Sequence, residues 1–297
     1  MKLIRPTTIT SAMLTASNVP ETDQPAWSSA TAYTSGTRCL YSHKIYYCLV
    51  AHTNAQPDAN IAGVTPKWLD EGYDNRWRMI DQLVGSQTTQ ADSITLTVTP
   101  GLVDSIALMD LSADSIDIVI TPTVGEIYTE HIDLINKTHV LNAYTYFFEP
   151  ILLTDTVCLL GIPAYTNASI AITITKTGGT AAVGTLILGT QYDLGGTQYN
   201  PTIGITDYST KTTDEFGNYT IVQRVFSKKM SCELYVENSA VDMLQRTLAS
   251  YRTLPVVWIG ADALFASMII YGFYKSFSIT IPAMSYSTCS IEIEGLS

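Results

Sequence analysis

The stretch ASIAITIT, residues 168–175, places an isoleucine at every second position: Ile170, Ile172 and Ile174. Successive side chains of a β-strand point to opposite faces, so this spacing predicts a strand with one buried face. The same period occurs twice earlier in the chain, at residues 94–98 and 116–120. Strands of this kind make a mainly β fold the first expectation.

Further apolar runs lie around and between these strands, at Leu102–Met109, Tyr144–Phe148 and Val157–Leu160. Proline, glycine and aspartate turns separate the runs, and no helical period interrupts the series. Roughly seven or eight short strands within about a hundred residues are typical of an antiparallel β-sandwich. We therefore assign residues 85–185 to a β-sandwich with a jelly-roll-like architecture.

The C-terminal region, residues 186–297, follows a glycine pair at 178–179 and contains another at 195–196, and both pairs are interpreted as turns. Residues 218–227 and 230–237 are predicted to form a hairpin. Three closing strands are expected, and the last should be paired: residues 256–259, 273–281 and 289–293.

One helix is predicted between the hairpin and the closing strands. Leu244 and Leu248 are spaced as one helical face, Ser239 precedes them as an expected N-cap, and Pro255 ends the helix. Residues 186–297 are therefore predicted to form an α+β docking domain.

The N-terminal part of the chain divides into an arm and a small module. Residues 1–25 are rich in threonine and proline without a sustained period, so we expect an arm that is mobile or lies along a neighbouring subunit. Residues 26–84 form the module, in which Ser42-His43 is predicted to be a two-residue turn between two strands.

Composition argues against several classes of protein. The chain has 16 basic and 27 acidic residues, for a net charge of -11, and Lys228-Lys229 is its one basic run. Such a balance repels polyphosphates, so nucleic-acid binding is not expected. The most apolar stretch, 254–273, is interrupted by small residues and resembles strands, so membrane insertion is not expected either.

The first residues, MKLIRPTTITSAML, lack the apolar core of a secretory signal, which indicates synthesis in a cytoplasm. The five cysteines are scattered and odd in number, and none stands in CxxC spacing. Cys39 and Cys48 flank the predicted hairpin of the module and could approach each other. Without a secretory route, buried reduced thiols are the expectation.

The small module concentrates aromatic residues, including three of the chain's four tryptophans. Exposed rings on a rigid β unit can stack on the faces of sugars, which makes four residues candidates for glycan binding: Trp27, Tyr33, Tyr46 and Trp68. The alternative is structural, because a unit of this size needs large side chains to form a core.

A resemblance to a known family rests on these same positions. The module contains residue types in the order W, AY, G, Y, N, P, W. These are Trp27, Ala32-Tyr33, Gly36, Tyr46, the pair Asn54 and Pro57, and Trp68. This order is similar to that of the small chitin- and cellulose-binding modules of chitinases. The resemblance covers about residues 26–70 and implies sugar binding through Trp27, Tyr33 and Trp68. Ser42-His43 stands where that family usually has Asn-Gly.

A second resemblance spans most of the chain. Three segments look like parts of structural proteins of tailed bacteriophages: Asp74–Asp81 at the end of the module, Val103–Leu111, and Tyr208–Ser227 before the helix. This resemblance implies a subunit of a tail or baseplate. Low charge and abundant β surface agree with a chain that is buried in an assembly.

Catalytic constellations are weak in the sequence. Glu126, Glu130 and His131 are close together, but in a strand the first two face one side and His131 the other. Adjacent carboxylates at 70–71 and 214–215 likewise point in opposite directions. We therefore predict no catalytic residues, no metal site and no cofactor.

Together these observations predict a structural virion protein of a tailed phage, made in the host cytoplasm and located at the tail tip, baseplate or fibre attachment. Its expected partners are other virion tail proteins, further copies in a symmetric homo-oligomer, and a host cell-surface glycan bound multivalently. The alternative is a polysaccharide-active enzyme or its carbohydrate-targeting subunit, which requires two carboxylates in a pocket.

Overall fold

The computed structural model describes residues 1–136, 142–148, 152–261 and 265–296. Strands dominate these residues, so the prediction of a mainly β chain is confirmed. The helix α1 spans Ala143–Phe148 and the helix α2 spans Val241–Ser250, while short 3-10 turns occur at Asp58–Asn60, Arg78–Ile80, Asn238–Ala240 and Ala266–Met268.

The strands are numbered in chain order. The first eight are β1 (Lys2–Pro6), β2 (Leu14–Ser17), β3 (Ala32–Tyr33), β4 (Arg38–Tyr41), β5 (Lys44–Cys48), β6 (His52–Thr53), β7 (Trp68–Tyr73) and β8 (Thr88–Val98). The next seven are β9 (Ser105–Ser112), β10 (Ser115–Pro122), β11 (Tyr128–Asp133), β12 (Ile135–Asn136), β13 (Leu152–Leu153), β14 (Thr156–Leu160) and β15 (Ala168–Asp193). The last eight are β16 (Gly196–Thr197), β17 (Thr202–Asp207), β18 (Thr210–Thr213), β19 (Tyr219–Val222), β20 (Phe226–Glu237), β21 (Val256–Ile259), β22 (Ile269–Thr280) and β23 (Tyr286–Gly295).

One large antiparallel sheet connects most of these strands. Its main path runs β11, β10, β15, β1, β21, β22, β23, β20, β16, and β2, β8, β9, β14 and β17 attach to this path. The buried isoleucines of β8, β10 and β15 form a single core, as their period of two predicts. The sandwich region and the C-terminal region are therefore parts of one continuous sheet.

The 26-residue strand β15 is the longest strand of that sheet and pairs with four others. It pairs with β10 and β8 along its first part and with β9 and β1 along its last part. The predicted turn at Gly178-Gly179 is wrong, because the strand continues through a register shift between Thr175 and Thr180. Gly178 adopts a positive φ of 70° there, so it absorbs a bulge without reversing the chain. The predicted boundary between residues 185 and 186 falls inside this strand.

The expectation of an N-terminal arm over residues 1–25 differs from the structure. Strand β1 lies between β15 and β21, with Leu3 and Ile4 fully buried. A side chain at Gly189 of β15 would collide with the backbone oxygen of Arg5, so glycine permits this close approach. The first residues thus belong to the centre of the sheet, where long-range pairing fixes them.

Around the helix α2, the prediction is confirmed in outline and corrected in detail. Leu244 and Leu248 are buried against the C-terminal core, as their spacing indicates. The N-cap position is occupied by Ala240 and not by Ser239, because a 3-10 turn precedes the helix. The last strand, β23, is paired on both sides, with β20 and with β22.

Two further predictions of local structure are wrong. The run Tyr144–Phe148, expected as a strand, lies in α1. The expected hairpin between residues 218–227 and 230–237 does not form, because β20 begins at Phe226 and continues through Lys228-Lys229. β20 instead pairs with β17 and β23.

The small module consists of a three-stranded sheet, β4-β5-β7, and the pair β3-β6. Tyr41 pairs with Lys44, so Ser42 and His43 form the predicted two-residue turn, and both have positive φ angles of 48° and 68°. Two positive φ angles are the requirement of a type I′ hairpin turn. Within the described ranges, no helix has the length and apolar character needed to cross a membrane.

Candidate functional site

Three of the four predicted glycan-binding residues lie in the interior of the module. The exposed fraction is 7% for Tyr33, 3% for Tyr46 and 0% for Trp68. These rings form one cluster with Cys39 and Cys48. Burial raises the pKa of the Cys39 thiol to about 11, and all five cysteines of the chain are free and buried, as expected of reduced thiols.

The polar edges of two of these buried rings are satisfied within the module. The Trp68 Nε1–H donates to the Ala55 backbone oxygen at 2.9 Å, and the Tyr33 hydroxyl accepts the Ser28 N–H at 2.8 Å. The Tyr33 and Trp68 rings meet edge to face with centroids 5.0 Å apart. Rings enclosed in this way present no face to a sugar, so for Tyr33, Tyr46 and Trp68 the burial favours the core alternative, and glycan binding by these residues stays a prediction.

Trp27 is placed differently from the other three residues. Its ring is half-buried and packs edge-on against Tyr41, with centroids 5.4 Å apart and an interplanar angle of 80°. Its backbone N–H donates to the Leu40 oxygen, which ties the residue to the β4 strand. Trp27 therefore remains a candidate for contact with a ligand at the surface of the module.

A polar joint connects the module to the sandwich. His43, in the turn between β4 and β5, lies over the Trp77 ring at a centroid distance of 4.2 Å, and its Nδ1 contacts a Glu21 carboxylate oxygen at 2.6 Å. Asp74 is fully buried and accepts the backbone N–H groups of Asp23 and Arg76. The last part of the module, around Asp74 and Trp77, is therefore held by specific contacts and is not a simple linker.

A protruding β-hairpin is the most exposed part of the described chain. β17 pairs with β20 at the edge of the large sheet, and the two chains continue outward as β18 and β19, which pair with each other. All residues from 210 to 226 are exposed. We call residues 209–224 the β arm.

The β arm carries large apolar side chains into solvent. The exposed fraction is 89% for Phe216 and 77% for Tyr219, and Ile221 and Val222 are more than half exposed. Tyr219 and Ile221 share one face with Thr213 and Lys211, their cross-strand partners. Exposed apolar clusters of this kind mark interaction surfaces in soluble proteins.

The tip of the β arm is well defined in spite of its exposure. The Asp214 carboxylate accepts the N–H groups of Phe216 and Asn218 and the Asn218 side-chain amide at 2.8 to 2.9 Å. These hydrogen bonds lower the pKa of Asp214 below its ordinary value. The turn therefore holds the two strands in register, which presents the apolar face in a fixed geometry.

The adjacent carboxylates of the sequence have structural partners. Glu71 accepts two hydrogen bonds from the Arg38 guanidinium, at 2.6 and 2.9 Å, and Asp70 binds the Lys44 ammonium at 2.7 Å. Asp214 closes the turn of the β arm. These contacts give Asp70, Glu71 and Asp214 roles in the fold that the sequence alone did not indicate.

The cluster at Glu126, Glu130 and His131 does not converge. His131 Nδ1 contacts Asp117 across the strand pair at 2.6 Å, whereas Glu130 accepts the Tyr128 hydroxyl at 3.1 Å. Among the residues that the structure describes, no group of three or more His, Cys, Asp or Glu side chains is arranged to hold a metal ion.

A cleft of about 640 Å³ lies between α2 and strands β1 and β16. Asp193 and Glu237 are the two carboxylates on its lining. One Asp193 oxygen accepts the Gly195 N–H at 2.9 Å and closes the turn before β16. This cleft is the place where the alternative of a polysaccharide-active enzyme can be tested.

No protein-family model matches the chain, and no curated protein matches it significantly. The function is therefore inferred from the residues and their geometry.

Sequence reasoning missed the β arm as a separate surface. The turn residues Asp214–Asn218 between two runs of threonine, tyrosine and β-branched residues are a hairpin pattern that could have identified it. What the pattern could not show is that no other part of the described chain covers the apolar face.

Proposed function

We propose that this chain is a structural virion protein of a tailed phage, located at the tail tip, baseplate or fibre attachment, and that it acts by joining protein surfaces. The observation that carries the proposal is the β arm, with Phe216, Tyr219 and Ile221 exposed on a hairpin outside the sheet. A two-stranded hairpin has little stability in water by itself, so an arm of this composition is suited to burial against another subunit.

The attachment of the β arm to the large sheet also supports a role in assembly. β20, which forms the base of the β arm, pairs with β17, β16 and β23, so the arm is anchored in the large sheet. The arm therefore extends from two paired strands of the sheet, which end at the pair Asp207 and Phe226. The location in a phage tail rests on the resemblance of the segments Asp74–Asp81, Val103–Leu111 and Tyr208–Ser227 to tail proteins.

The test is to purify particles of the phage that encodes the chain and to examine them by mass spectrometry and electron-microscopic reconstruction. We expect several copies of the chain at the tail end, with the β arm buried in a protein contact. Absence of the chain from complete particles would contradict the proposal.

The enzyme alternative has its own test. The purified chain is incubated with chitin, cellulose and host-wall preparations, and soluble sugars are measured. We expect no turnover. Turnover that is lost in Asp193→Asn or Glu237→Gln would replace the structural proposal with a catalytic one.

A secondary role in glycan contact is supported by Trp27 alone among the predicted rings, because it is half-buried at the module surface beside Tyr41. Single ring contacts with sugars are weak, so repetition in an assembly would supply the avidity. On a glycan array, the assembled chain is expected to bind and Trp27→Ala to lose binding, while Val64→Ser, a fully exposed control position, keeps it. Equal binding by Trp27→Ala would remove this role.

A further inference from the structure

The large sheet has a second open edge, opposite the one that carries the β arm. Strand β11 begins the path of the sheet and β16 ends it, with β17 beside β16 on the same side of β20. Within the described residues, β11 pairs with β10 and with no further strand. Along residues 128–132, its outer edge is therefore open to another strand.

The β11 edge is acidic and is bordered by exposed apolar residues. Glu130 lies in the middle of β11 and Asp133 ends it, while Glu126 lies two residues before the strand begins. Val124 and Ile127, in the loop before the strand, are exposed by 86% and 62%. An incoming strand would thus meet negative charge together with apolar contact.

The β arm has the complementary chemistry. Its stem carries Lys211 and Arg224, neither of which forms a salt bridge within the described residues, while its two acids, Asp214 and Glu215, lie at the tip. Tyr219 and Ile221 lie on the same face as Lys211. Both outer edges of the arm are unpaired in the described chain, so the arm lacks a third strand and β11 lacks a second neighbour.

We infer that the β arm of one copy of this chain adds to the β11 edge of a second copy. The addition joins unpaired strands by main-chain hydrogen bonds, while Lys211 and Arg224 face Glu126 and Glu130. Because the arm and the edge are different surfaces at opposite ends of one sheet, the contact is head-to-tail. Repetition of a head-to-tail contact produces a ring if the rotation closes, or a helical stack if it does not.

This inference rests on the proposed function, since it names the partner of the β arm. It adds two things that the proposed function does not contain: the partner is a second copy, and the receiving surface is β11. The two ideas fail separately, because a chain found in particles with its arm bound to a different protein would overturn the inference and leave the proposed function intact.

The test uses charge reversal and mixing of full-length chains. The arm variant is Lys211→Glu with Arg224→Glu, and the edge variant is Glu126→Lys with Glu130→Lys. Sedimentation velocity measures the oligomeric state of the wild type, of each variant, and of an equal mixture of the two. The control for charge is Arg246→Glu with Arg252→Glu, which makes the same change on exposed positions at α2.

We expect the wild type and the control to form oligomers and each variant alone to be monomeric. The mixture should regain oligomers, because the acidic arm of one variant meets the basic edge of the other, and the basic arm meets the acidic edge. A monomeric wild type, variants that assemble as the wild type does, or a mixture that stays monomeric would each overturn the inference.

A carbodiimide cross-link between amines and carboxylates gives a second measurement on the unaltered protein. In a mixture of isotopically heavy and light chains, Lys211 is expected to couple to Glu126 or Glu130 of the other isotope. Cross-links of Lys211 that join only residues of one isotope, or only other carboxylates, would contradict the contact.

Discussion

Asp207 and Phe226 face each other as the last residue pair of β17 and β20, and beyond them the hairpin leaves the sheet. The chain could have turned at this point, and the sheet would have been complete. It instead extends by the β arm, with its apolar face in solvent. This extension adds exposed apolar area without adding to the core, which is understandable if the area is buried in a contact with another subunit.

The apolar face of the β arm should be needed for assembly and dispensable for folding. Tyr219→Ser with Ile221→Ser is expected to abolish oligomers and to change the free energy of unfolding by no more than about 0.5 kcal/mol, because both side chains are exposed. Val64→Ser with Met284→Ser removes two exposed apolar residues elsewhere and should leave the oligomer unchanged. Sedimentation and thermal melting report the two properties, and a large drop in melting temperature for the arm variant would contradict the account.

Substitutions of Trp68 and Trp27 should distinguish a core residue of the module from a surface residue. Trp68→Ala is expected to lower the free energy of unfolding by about 3–5 kcal/mol, because it empties the centre of a fully buried cluster. Trp27→Ala should cost distinctly less, since its ring is half-buried. Chemical denaturation measures both values. Similar losses for the two variants would mean that Trp27 also belongs to the core and is no surface residue.

Asp74 should make the stability of the polar joint depend on pH. Burial, and after it the neighbouring Asp23 carboxylate, raise the pKa of Asp74 above its ordinary value of 3.8. The folded chain then binds this proton more tightly than the unfolded chain does. The stabilisation linked to Asp74 is therefore complete below pH 3.8 and is lost as the pH rises through the raised folded pKa.

Asp74→Asn removes this titration. The free energy of unfolding of the wild type minus that of Asp74→Asn is expected to fall as the pH is raised from the ordinary pKa towards neutrality. Urea denaturation at a series of pH values measures the difference, and Asp58→Asn, at an exposed carboxylate, is the control. A difference that stays constant or grows with pH would show that burial does not govern Asp74.

Gly189 should be required for the close pairing of β1 with β15. In Gly189→Ala, the added carbon would collide with the backbone oxygen of Arg5, so we expect a loss of about 1–3 kcal/mol in the free energy of unfolding. Gly196→Ala is the matched control, because nothing lies within 4 Å of the added carbon there. Equal stability of the two variants would argue against the central position of β1.

The part of the fold that was predictable from sequence is the part fixed by local pattern. The period of two at Ile170, Ile172 and Ile174 identifies a strand, because a strand with one buried face needs an apolar residue at every second position. The turn at Ser42-His43 was also predictable, even though neither residue is glycine, because its length is set by the two flanking strands. His43 accepts a positive φ there while it contacts Trp77 and Glu21.

The rest depends on long-range pairing that no local window contains. Strand β1 lies in the centre of the sheet because residues 189–193 and 257–259, far along the chain, pair with it. Gly178-Gly179 has the composition of a turn, yet the strand continues because β8 pairs with it on both sides of the bulge, while β10 pairs before the bulge and β9 after it. The burial of Tyr33, Tyr46 and Trp68 was one of two alternatives, and only the folded module distinguishes them.

The most direct test of the central claim shortens the β arm. Residues 209–224 are replaced by Asn-Gly, so that Tyr208 and Val225, which already share a backbone hydrogen bond, are joined by a two-residue turn. Sedimentation velocity then compares the shortened chain with the wild type. We predict that the wild type forms oligomers and that the shortened chain is a folded monomer with an unchanged melting temperature. Oligomers of the same size in both chains, or monomers in both, would contradict the account.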